Sequence, residues 1–192
     1  MPVQGVLRSL WVMRWEGLFA DLEGQLAAQE RRELDSEVAE RTRRERALVD
    51  LTARLGGSLG APTTLLLTGG RTVEGELRDL GDGWLLVVDG PRGLLVPHAA
   101  VLAVVGSAPR AEEPRTARRF GMGYALRALA RDRATVALDL RDGPVLVGTI
   151  DVVGADHLVL AEHPEGEPRR RENVRRALTV PFAALRVVES RR

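Results

Sequence analysis

The chain has 192 residues, of which 44% are hydrophobic, and its 28 basic residues balance 27 acidic ones to a formal net charge of +1. A chain of this size and composition forms one medium globular domain or two small ones. Every basic residue is arginine and cysteine is absent. The composition therefore excludes a disulfide framework, a thiolate zinc site and chemistry that needs lysine.

The first residues carry a short apolar stretch that fits neither a membrane span nor a secretion signal. Arg8 and Arg14 interrupt it, and no small-residue cleavage site follows. The stretch is also too short to cross a bilayer. Met1 and Met13 are both candidate starts of the protein. We expect a cytoplasmic protein that makes no membrane contact.

Residues 1–57 are predicted to form an N-terminal helical segment, with one long helix from Trp15 to about Leu55. The stretch has no proline, repeats leucine at helical spacing and places acids and arginines four residues apart. Its apolar stripe is thin. Two interpretations stay open: a charged helix packed on the protein at its two ends, or a coiled-coil or docking helix for a protein partner.

Residues 58–106 are predicted to form a small antiparallel barrel of five strands. Short apolar runs such as "TTLLL", "WLLVVD" and "VLAVV" alternate with turns such as "TGG" and "GDG". Gly75 lies inside the second strand, where glycine marks a bend or a close approach of another backbone.

Residues 120–192 repeat this pattern after a proline- and charge-rich linker at 107–119. "DGPVLVGTIDVVGADHLVL" aligns with "GGRTVEGELRDLGDGWLLVV" at an offset of 73, so that Gly148 matches Gly75. "LTVPFAALRVV" aligns with "LLVPHAAVLAVV" at an offset of 84, because the second copy has a longer loop. A short helix at about 120–132 precedes this copy, with Met122, Ala125, Leu126 and Leu129 on one face. The chain is therefore predicted to contain an internal duplication.

A helix followed by five bent strands, with glycine inside the second and a short "VPxAA" corner before the fifth, resembles the Sm-like fold of Sm and LSm proteins. It is also similar to the C-terminal domain of the ribosome maturation factor, and the whole chain resembles a protein group from high-GC Gram-positive bacteria. The resemblance implies an α+β protein: a long N-terminal helix and two five-stranded Sm-like barrels, each preceded by a helix.

The residues that hold uridine in Sm proteins are not present in either copy. The positions of the family's aspartate and asparagine correspond to Gly81 and Leu85 in the first copy, and to Gly154 and Leu158 in the second. "VPHAAV" and "VPFAAL" stand where the family has its arginine–glycine pair. The resemblance therefore implies the fold but not base-specific RNA binding.

No motif indicates an enzyme, a cofactor or a metal site. The serines lie in no nucleophile elbow, and there is no phosphate-binding loop or dinucleotide fingerprint. His98, His157 and His163 lack metal-ligand spacing, and His163 is expected at the surface. Asp139 and Asp142 flank a turn, where aspartate is favoured for local backbone hydrogen bonds. We predict no catalytic residue, no metal and no cofactor.

The longer loop of the second copy is the best candidate for a binding site. Arginine pairs with phosphates and stacks on bases, and Trp84, which follows a turn, is a candidate exposed stacking platform. The sequence predicts a non-catalytic adaptor or regulator that binds RNA or DNA without sequence preference through Trp84 and the loop arginines Arg169, Arg170, Arg171, Arg175 and Arg176.

The near-zero net charge favours a different function, a protein-interaction or scaffold module that binds no nucleic acid. Its partner surface is the N-terminal helix or the barrel edges. Because an exposed sheet edge needs a partner or protection, the duplication also predicts an internal pseudo-dimer, in which the two copies pair within one chain, or a homo-oligomer through the barrel edges.

Overall fold

A computed structural model describes residues 29, 31–32, 34–106, 120–167 and 169–191 of the chain. The predicted linker at 107–119 and the start of the predicted N-terminal helix lie outside the described residues. The chain divides into two units, Met1–Val49 and Asp50–Arg192. None of the described helices is long and apolar enough to span a membrane.

The first unit is helical over residues 34–47, here called α1. Its charges pair as the spacing predicts: Arg41 Nε lies 3.1 Å from Glu45 Oε1, and Glu40 pairs with Arg43 and Arg44 at 3.4 and 3.5 Å. The prediction of one helix that continues to Leu55 is wrong. The helix ends at residue 47, and a new one begins after Asp50.

Asp50 explains why the helix is interrupted. Its backbone is extended and its carboxylate accepts a hydrogen bond of 2.7 Å from the Ala53 amide, which is the N-cap arrangement that aspartate favours. The short helix α2, Leu51–Gly56, follows and opens the second unit. Leu55 of α2 is fully buried.

All ten predicted strands are present in the second unit, and so is the predicted helix between the two copies. The first copy contains β1 (Pro62–Leu67), β2 (Thr72–Gly81), β3 (Trp84–Asp89), β4 (Arg92–Pro97) and β5 (Val101–Val105). The second contains α3 (Met122–Arg131), β6 (Thr135–Leu140), β7 (Val145–Val153), β8 (His157–Glu162), β9 (Arg176–Pro181) and β10 (Leu185–Arg191).

The strands form one antiparallel sheet of ten, rather than the two five-stranded barrels that the sequence predicts. The strand order is β5-β1-β2-β3-β4-β10-β6-β7-β8-β9. Within each copy the fourth and fifth strands lie at opposite ends of the five. They are not paired with each other in the described sheet. Instead, β4 of the first copy pairs with β10 of the second, and β5 and β9 end the sheet. The fold is α+β with a continuous sheet of ten strands.

The two halves of the sheet repeat each other in register. Val73 pairs with Leu65 as Leu146 pairs with Leu138, and Trp84 pairs with Pro97 as His157 pairs with Pro181. The irregularities repeat as well. The β2–β3 ladder skips Arg78 where β7–β8 skips Asp151, and β5 skips Leu102 where β10 skips Arg186. The offsets of 73 and 84 read from the sequence thus hold in the strand pairing.

Gly75 and Gly148 occupy equivalent places where a neighbouring strand comes close. A Cβ atom at Gly75 would collide with the Val88 carbonyl oxygen, and one at Gly148 with the Ala161 carbonyl oxygen. Gly75 also has a φ of 156°, which disfavours a side chain. Of the two predicted roles for these glycines, a bend or a close approach of another backbone, the structure shows the close approach.

Each half has its own hydrophobic core, and the two cores exchange residues across the β4–β10 junction. The first core includes Leu65, Leu77 and Leu85, together with Val187 from β10 of the second half. The second core is covered by α3 and includes Trp84 and Leu95 from the first half. Because each core needs residues of the other half, the two halves are one packing unit.

Candidate interaction surfaces

The five loop arginines are exposed, but they do not act as a single set of cations. Arg169 donates two hydrogen bonds of 2.6 Å to Asp151, and Arg176 Nε lies 2.6 Å from Glu162 Oε2. These hydrogen bonds raise the pKa of both guanidinium groups, and the bond from Arg176 lowers the pKa of Glu162. Two of the five charges are therefore already neutralised by carboxylates.

The other three loop arginines differ from this pair. Among the described residues, Arg170, Arg171 and Arg175 make no side-chain hydrogen bond or ion pair, although the charge of Arg175 helps to lower the pKa of Glu162. All three are exposed. They are the part of the predicted site that remains able to contact a phosphate.

Trp84 does not offer an exposed ring, and that expectation is wrong. Its side chain is only 5% exposed and belongs to the second core. Its indole N–H donates a hydrogen bond of 2.8 Å to the Phe120 carbonyl, just before α3. Trp84 therefore fixes the start of α3 against the β2–β3 turn, which a second hydrogen bond of 3.1 Å from the Asp82 amide to Phe120 reinforces.

The junction between the two halves holds a charged cluster that the sequence analysis missed. The backbones of β4 and β10 pair from Val188–Leu95 to Arg191–Arg92. Beside this ladder, Arg186 donates to both oxygens of Asp139, at 2.9 and 2.6 Å, and Arg71 donates to the same carboxylate. Arg186 also reaches the Thr68 carbonyl at 3.1 Å. The cluster therefore links the turn between β1 and β2 of the first half to β6 and β10 of the second.

Asp139 is not a turn residue with local hydrogen bonds, as its sequence position suggested. It lies in β6 and is 4% exposed. Burial raises the pKa of its carboxyl, but the hydrogen bonds from Arg186 and Arg71 outweigh this and hold the pKa below its ordinary value. The carboxylate is thus charged at neutral pH and paired with two arginines.

The outer edges of the sheet are equivalent to the two strands that meet at this junction. Within the described part of the chain, β5 and β9 end the sheet. Leu102 and Val105 of β5 are 68% and 56% exposed, and Leu66 of the neighbouring strand β1 is 41% exposed. Unpaired edge strands with exposed apolar side chains are sites at which another strand can be added.

A groove runs between α3 and the strands that meet at the junction. Its volume is about 590 Å³, and its lining includes Trp84, Leu86, Leu95, Tyr124, Leu129 and Val188. Arg78 and Arg92 also line it, and each is paired with a nearby carboxylate, Glu76 and Asp89 respectively. Much of the groove lining is therefore apolar, and its two arginines are paired with carboxylates.

The histidines form no metal site among the described residues. No group of three or more histidine, cysteine, aspartate or glutamate side chains there could hold a metal ion. His163 is 2% exposed rather than at the surface, and its ring nitrogens lie 2.9 Å from the Thr149 hydroxyl and from the Pro164 carbonyl. It is a buried structural residue.

Comparisons with known proteins add no family to this description. No protein-family model matches the chain, and no curated protein matches its sequence. The candidate surfaces therefore rest on the chain's own geometry.

The residues that the sequence analysis missed carry a signal in the duplication itself. At the offset of 73, Asp139 of the second copy aligns with Leu66 of the first, and at the offset of 84 Arg186 aligns with Leu102. At both positions the second copy has a charged residue where the first copy has leucine. A comparison of the copies for such exchanges, rather than for matches, marks these two positions as candidates for a contact that only one copy makes.

Proposed function

We propose that this protein is a non-catalytic, cytoplasmic protein-interaction module that binds partners by strand addition at the β5 edge of its sheet. The observation that carries the proposal is the exposure of Leu102 and Val105 in this terminal strand, beside the exposed Leu66 of the neighbouring strand β1. A partner strand on β5 would satisfy the outward backbone groups of the edge and cover these side chains. The repeated five-strand pattern of the two halves also supports the Sm-like relationship as part of this proposal.

The test uses a peptide that alternates threonine and valine over six residues and does not come from this chain. Backbone amide exchange of β5 is measured by nuclear magnetic resonance with and without saturating peptide. We expect slower exchange in β5, and loss of this effect in the variant Leu102→Asp/Val105→Asp. The variant Val152→Asp, at a valine that is 54% exposed on another strand, is the matched control and should keep the effect. Unchanged exchange in β5 would overturn the proposal.

A second candidate function, sequence-tolerant binding of RNA or DNA, is supported by the three exposed arginines Arg170, Arg171 and Arg175. Three phosphate contacts on a single strand predict a log–log dependence of affinity on salt with a slope of about −2. Binding to single-stranded RNA and duplex DNA is measured at two salt concentrations. The variant Arg170→Ala/Arg171→Ala/Arg175→Ala should lose this binding.

The control for this second function removes the same charge from another part of the chain. Arg41, Arg43 and Arg44 lie in α1 and pair with glutamates. Their change to alanine should leave the affinity for RNA and DNA unchanged. Equal loss in both variants would mean that net charge, not the loop, determines binding, and no binding at low salt would exclude the function.

A further inference from the structure

The groove between α3 and the sheet has a floor to which both halves of the sheet contribute. Leu86 of β3 lies opposite Leu95 of β4, which in turn lies opposite Val188 of β10. Directly opposed residues in antiparallel strands project from the same face, and these three all line the groove. They therefore form one apolar row that crosses the junction between the halves.

The next row of the floor has small side chains. Val88 lies opposite Gly93, which lies opposite Ser190. Gly93 contributes no side chain to the space between the strands and α3. The floor runs along β3 from Trp84 to Val88, about 13 Å at the usual rise per residue of a strand. A polypeptide segment of about four residues in extended conformation has this length.

The second half of the sheet does not form an equivalent floor. At the offsets of 73 and 84, Leu86 and Leu95 correspond to Val159 and Thr179, which also lie opposite each other. However, β9 ends the described sheet, so no strand occupies the place that β10 has beside β4. The groove is therefore a feature that the chain gains by joining its two halves.

Two aromatic rings continue the apolar surface beyond the groove. Tyr124 of α3 lines the groove and is 51% exposed. Phe120 is 47% exposed and stacks on Tyr124, with the ring centroids 4.4 Å apart. Exposed apolar surface of this kind next to a groove is typical of a binding site. A small molecule within the groove would leave Phe120 exposed, whereas a polypeptide that continues out of the groove covers both rings.

The charges at the groove favour a basic ligand, although the whole chain has a formal net charge of +1. The two arginines that line the groove are paired with carboxylates. Asp79 and Asp132 also line it, and neither makes an ion pair among the described residues. Asp79 Oδ1 accepts a hydrogen bond of 2.8 Å from the Leu80 amide. Asp132 lies at the C-terminal end of α3, where the partial negative charge of the helix adds to its own.

We propose that this groove binds an extended polypeptide segment of a partner protein, with apolar side chains flanked by arginine or lysine. The apolar side chains lie on the row of Leu86, Leu95 and Val188, and the basic side chains pair with Asp79 and Asp132. Complementary charge of this kind determines which partners bind. The site is separate from the β5 edge, so it goes beyond the proposed function and does not rest on it.

The test measures the affinity of the full chain for two tetrapeptides by fluorescence anisotropy. Arg–Leu–Leu–Arg, amidated and labelled with an uncharged fluorophore, is the probe, and Glu–Leu–Leu–Glu with the same label keeps the apolar pair but reverses the charge. We expect the arginine peptide to bind about tenfold more tightly at low salt, because two exposed ion pairs are replaced by repulsion. Equal affinities, or no binding of the arginine peptide, would overturn the inference.

The variant Asp79→Asn/Asp132→Asn tests whether these two carboxylates determine the preference. It should reduce the preference for the arginine peptide to about twofold or less, while the asparagine oxygen can still accept from the Leu80 amide. Glu74→Gln/Asp142→Asn removes the same charge at exposed positions outside the groove lining and is the matched control. The control should keep the preference of the wild type. Equal loss in both variants would assign the preference to net charge and overturn the site.

The variant Ala128→Leu tests whether the ligand lies in the groove. Ala128 lines the groove from α3, so leucine there occupies the space without a change in charge and should weaken the binding of the arginine peptide about fivefold. Ala99→Leu adds the same side chain at an exposed position outside the lining and should bind as the wild type does. Circular dichroism checks that both variants are folded. Unchanged affinity in a folded Ala128→Leu variant would contradict the proposed location.

Nuclear magnetic resonance locates the bound peptide and separates this site from strand addition. The indole N–H of Trp84 and the amides of Tyr124 and Leu129 should shift when the arginine peptide is added. The variant Leu102→Asp/Val105→Asp should show the same shifts, since β5 does not line the groove. Shifts confined to β5 would overturn the groove site and leave strand addition standing. Shifts at the groove with no protection of β5 by the threonine–valine peptide would have the opposite meaning.

Discussion

At the scale of single residues, two pairs of equivalent positions differ between the halves in both charge and exposure. Asp139 and Arg186 form a covered ion pair at the junction, whereas Leu66 and Leu102 are exposed at the edge. A buried ion pair does not by itself stabilise a fold, because the cost of removing two charges from water offsets their attraction. Removal of one partner, however, leaves the other charge without compensation.

The change Asp139→Asn is therefore expected to lower the free energy of unfolding by about 3 kcal/mol, because it leaves Arg186 and Arg71 without their shared carboxylate. The double variant Asp139→Leu/Arg186→Leu, which copies the leucines of the first half, should be more stable than Asp139→Asn. Urea denaturation measures both. A double variant less stable than the single one would contradict this account of the junction.

His98 provides a second prediction at this scale. Burial lowers the pKa of its imidazole below the ordinary 6.5, although Asp50 and Asp82 oppose this. The buried Nε2 atom has no hydrogen-bond partner among the described residues. Because the unfolded chain then takes up this proton first, the free energy of unfolding falls as the pH drops below about 6.5.

The change His98→Phe, which introduces the residue found at the equivalent position Phe182, should remove this contribution. Urea denaturation at pH 7.5 and 5.5 is the measurement. We expect the wild type to lose more stability than the variant between the two pH values. An equal loss in both proteins would show that His98 does not titrate as described.

At the scale of elements, the glycines inside β2 and β7 allow the neighbouring strands β3 and β8 to lie close to them. The change Gly148→Ala places a methyl group against the Ala161 carbonyl of the neighbouring strand. We expect it to lower the free energy of unfolding by about 2 kcal/mol, as overpacking does.

The change Gly123→Ala is the matched control, because glycine lies there inside α3 with only the flexible end of Arg127 nearby. Alanine favours a helix over glycine, so this variant should be more stable than the wild type by about 0.5 kcal/mol. Equal effects from the two variants, measured by thermal unfolding, would refute the role assigned to Gly148.

The sequence predicted these elements well because their signals are local. Short apolar runs separated by turns located all ten strands, and the spacing of Met122, Leu126 and Leu129 located α3. One of the errors has a local cause and the other a long-range cause. Asp50 caps a new helix inside a stretch that otherwise reads as continuous, and Trp84 is covered because its N–H bonds to Phe120, which is distant in sequence.

At the scale of the whole second unit, the β4–β10 ladder and the exchanged core residues join the halves into one sheet. We expect a single cooperative transition. Amides of Leu65 in β1 and Leu160 in β8 should lose protection from hydrogen exchange at the same urea concentration. Loss of protection in one half at a lower concentration would contradict the shared packing.

The joining of the halves could be anticipated only as one of several outcomes. The duplication predicted that the copies could pair with each other or with another chain, but strand order across a junction depends on contacts between residues far apart in sequence. Val187 is buried in the first core and Leu95 in the second, and nothing in the sequence around either residue indicates that it packs into the other half. The same is true of the partners of Asp139.

The position of β10 has a consequence for synthesis of the protein on the ribosome. It is the last of the ten strands to emerge, yet it lies between β4 and β6 near the middle of the sheet. Until it emerges, β4 and β6 have no strand between them, and the first core lacks Val187. Nascent chains therefore expose two incomplete half-sheets, a state in which strands pair with the wrong chain. The final seven-residue strand, Leu185–Arg191, completes both halves at once.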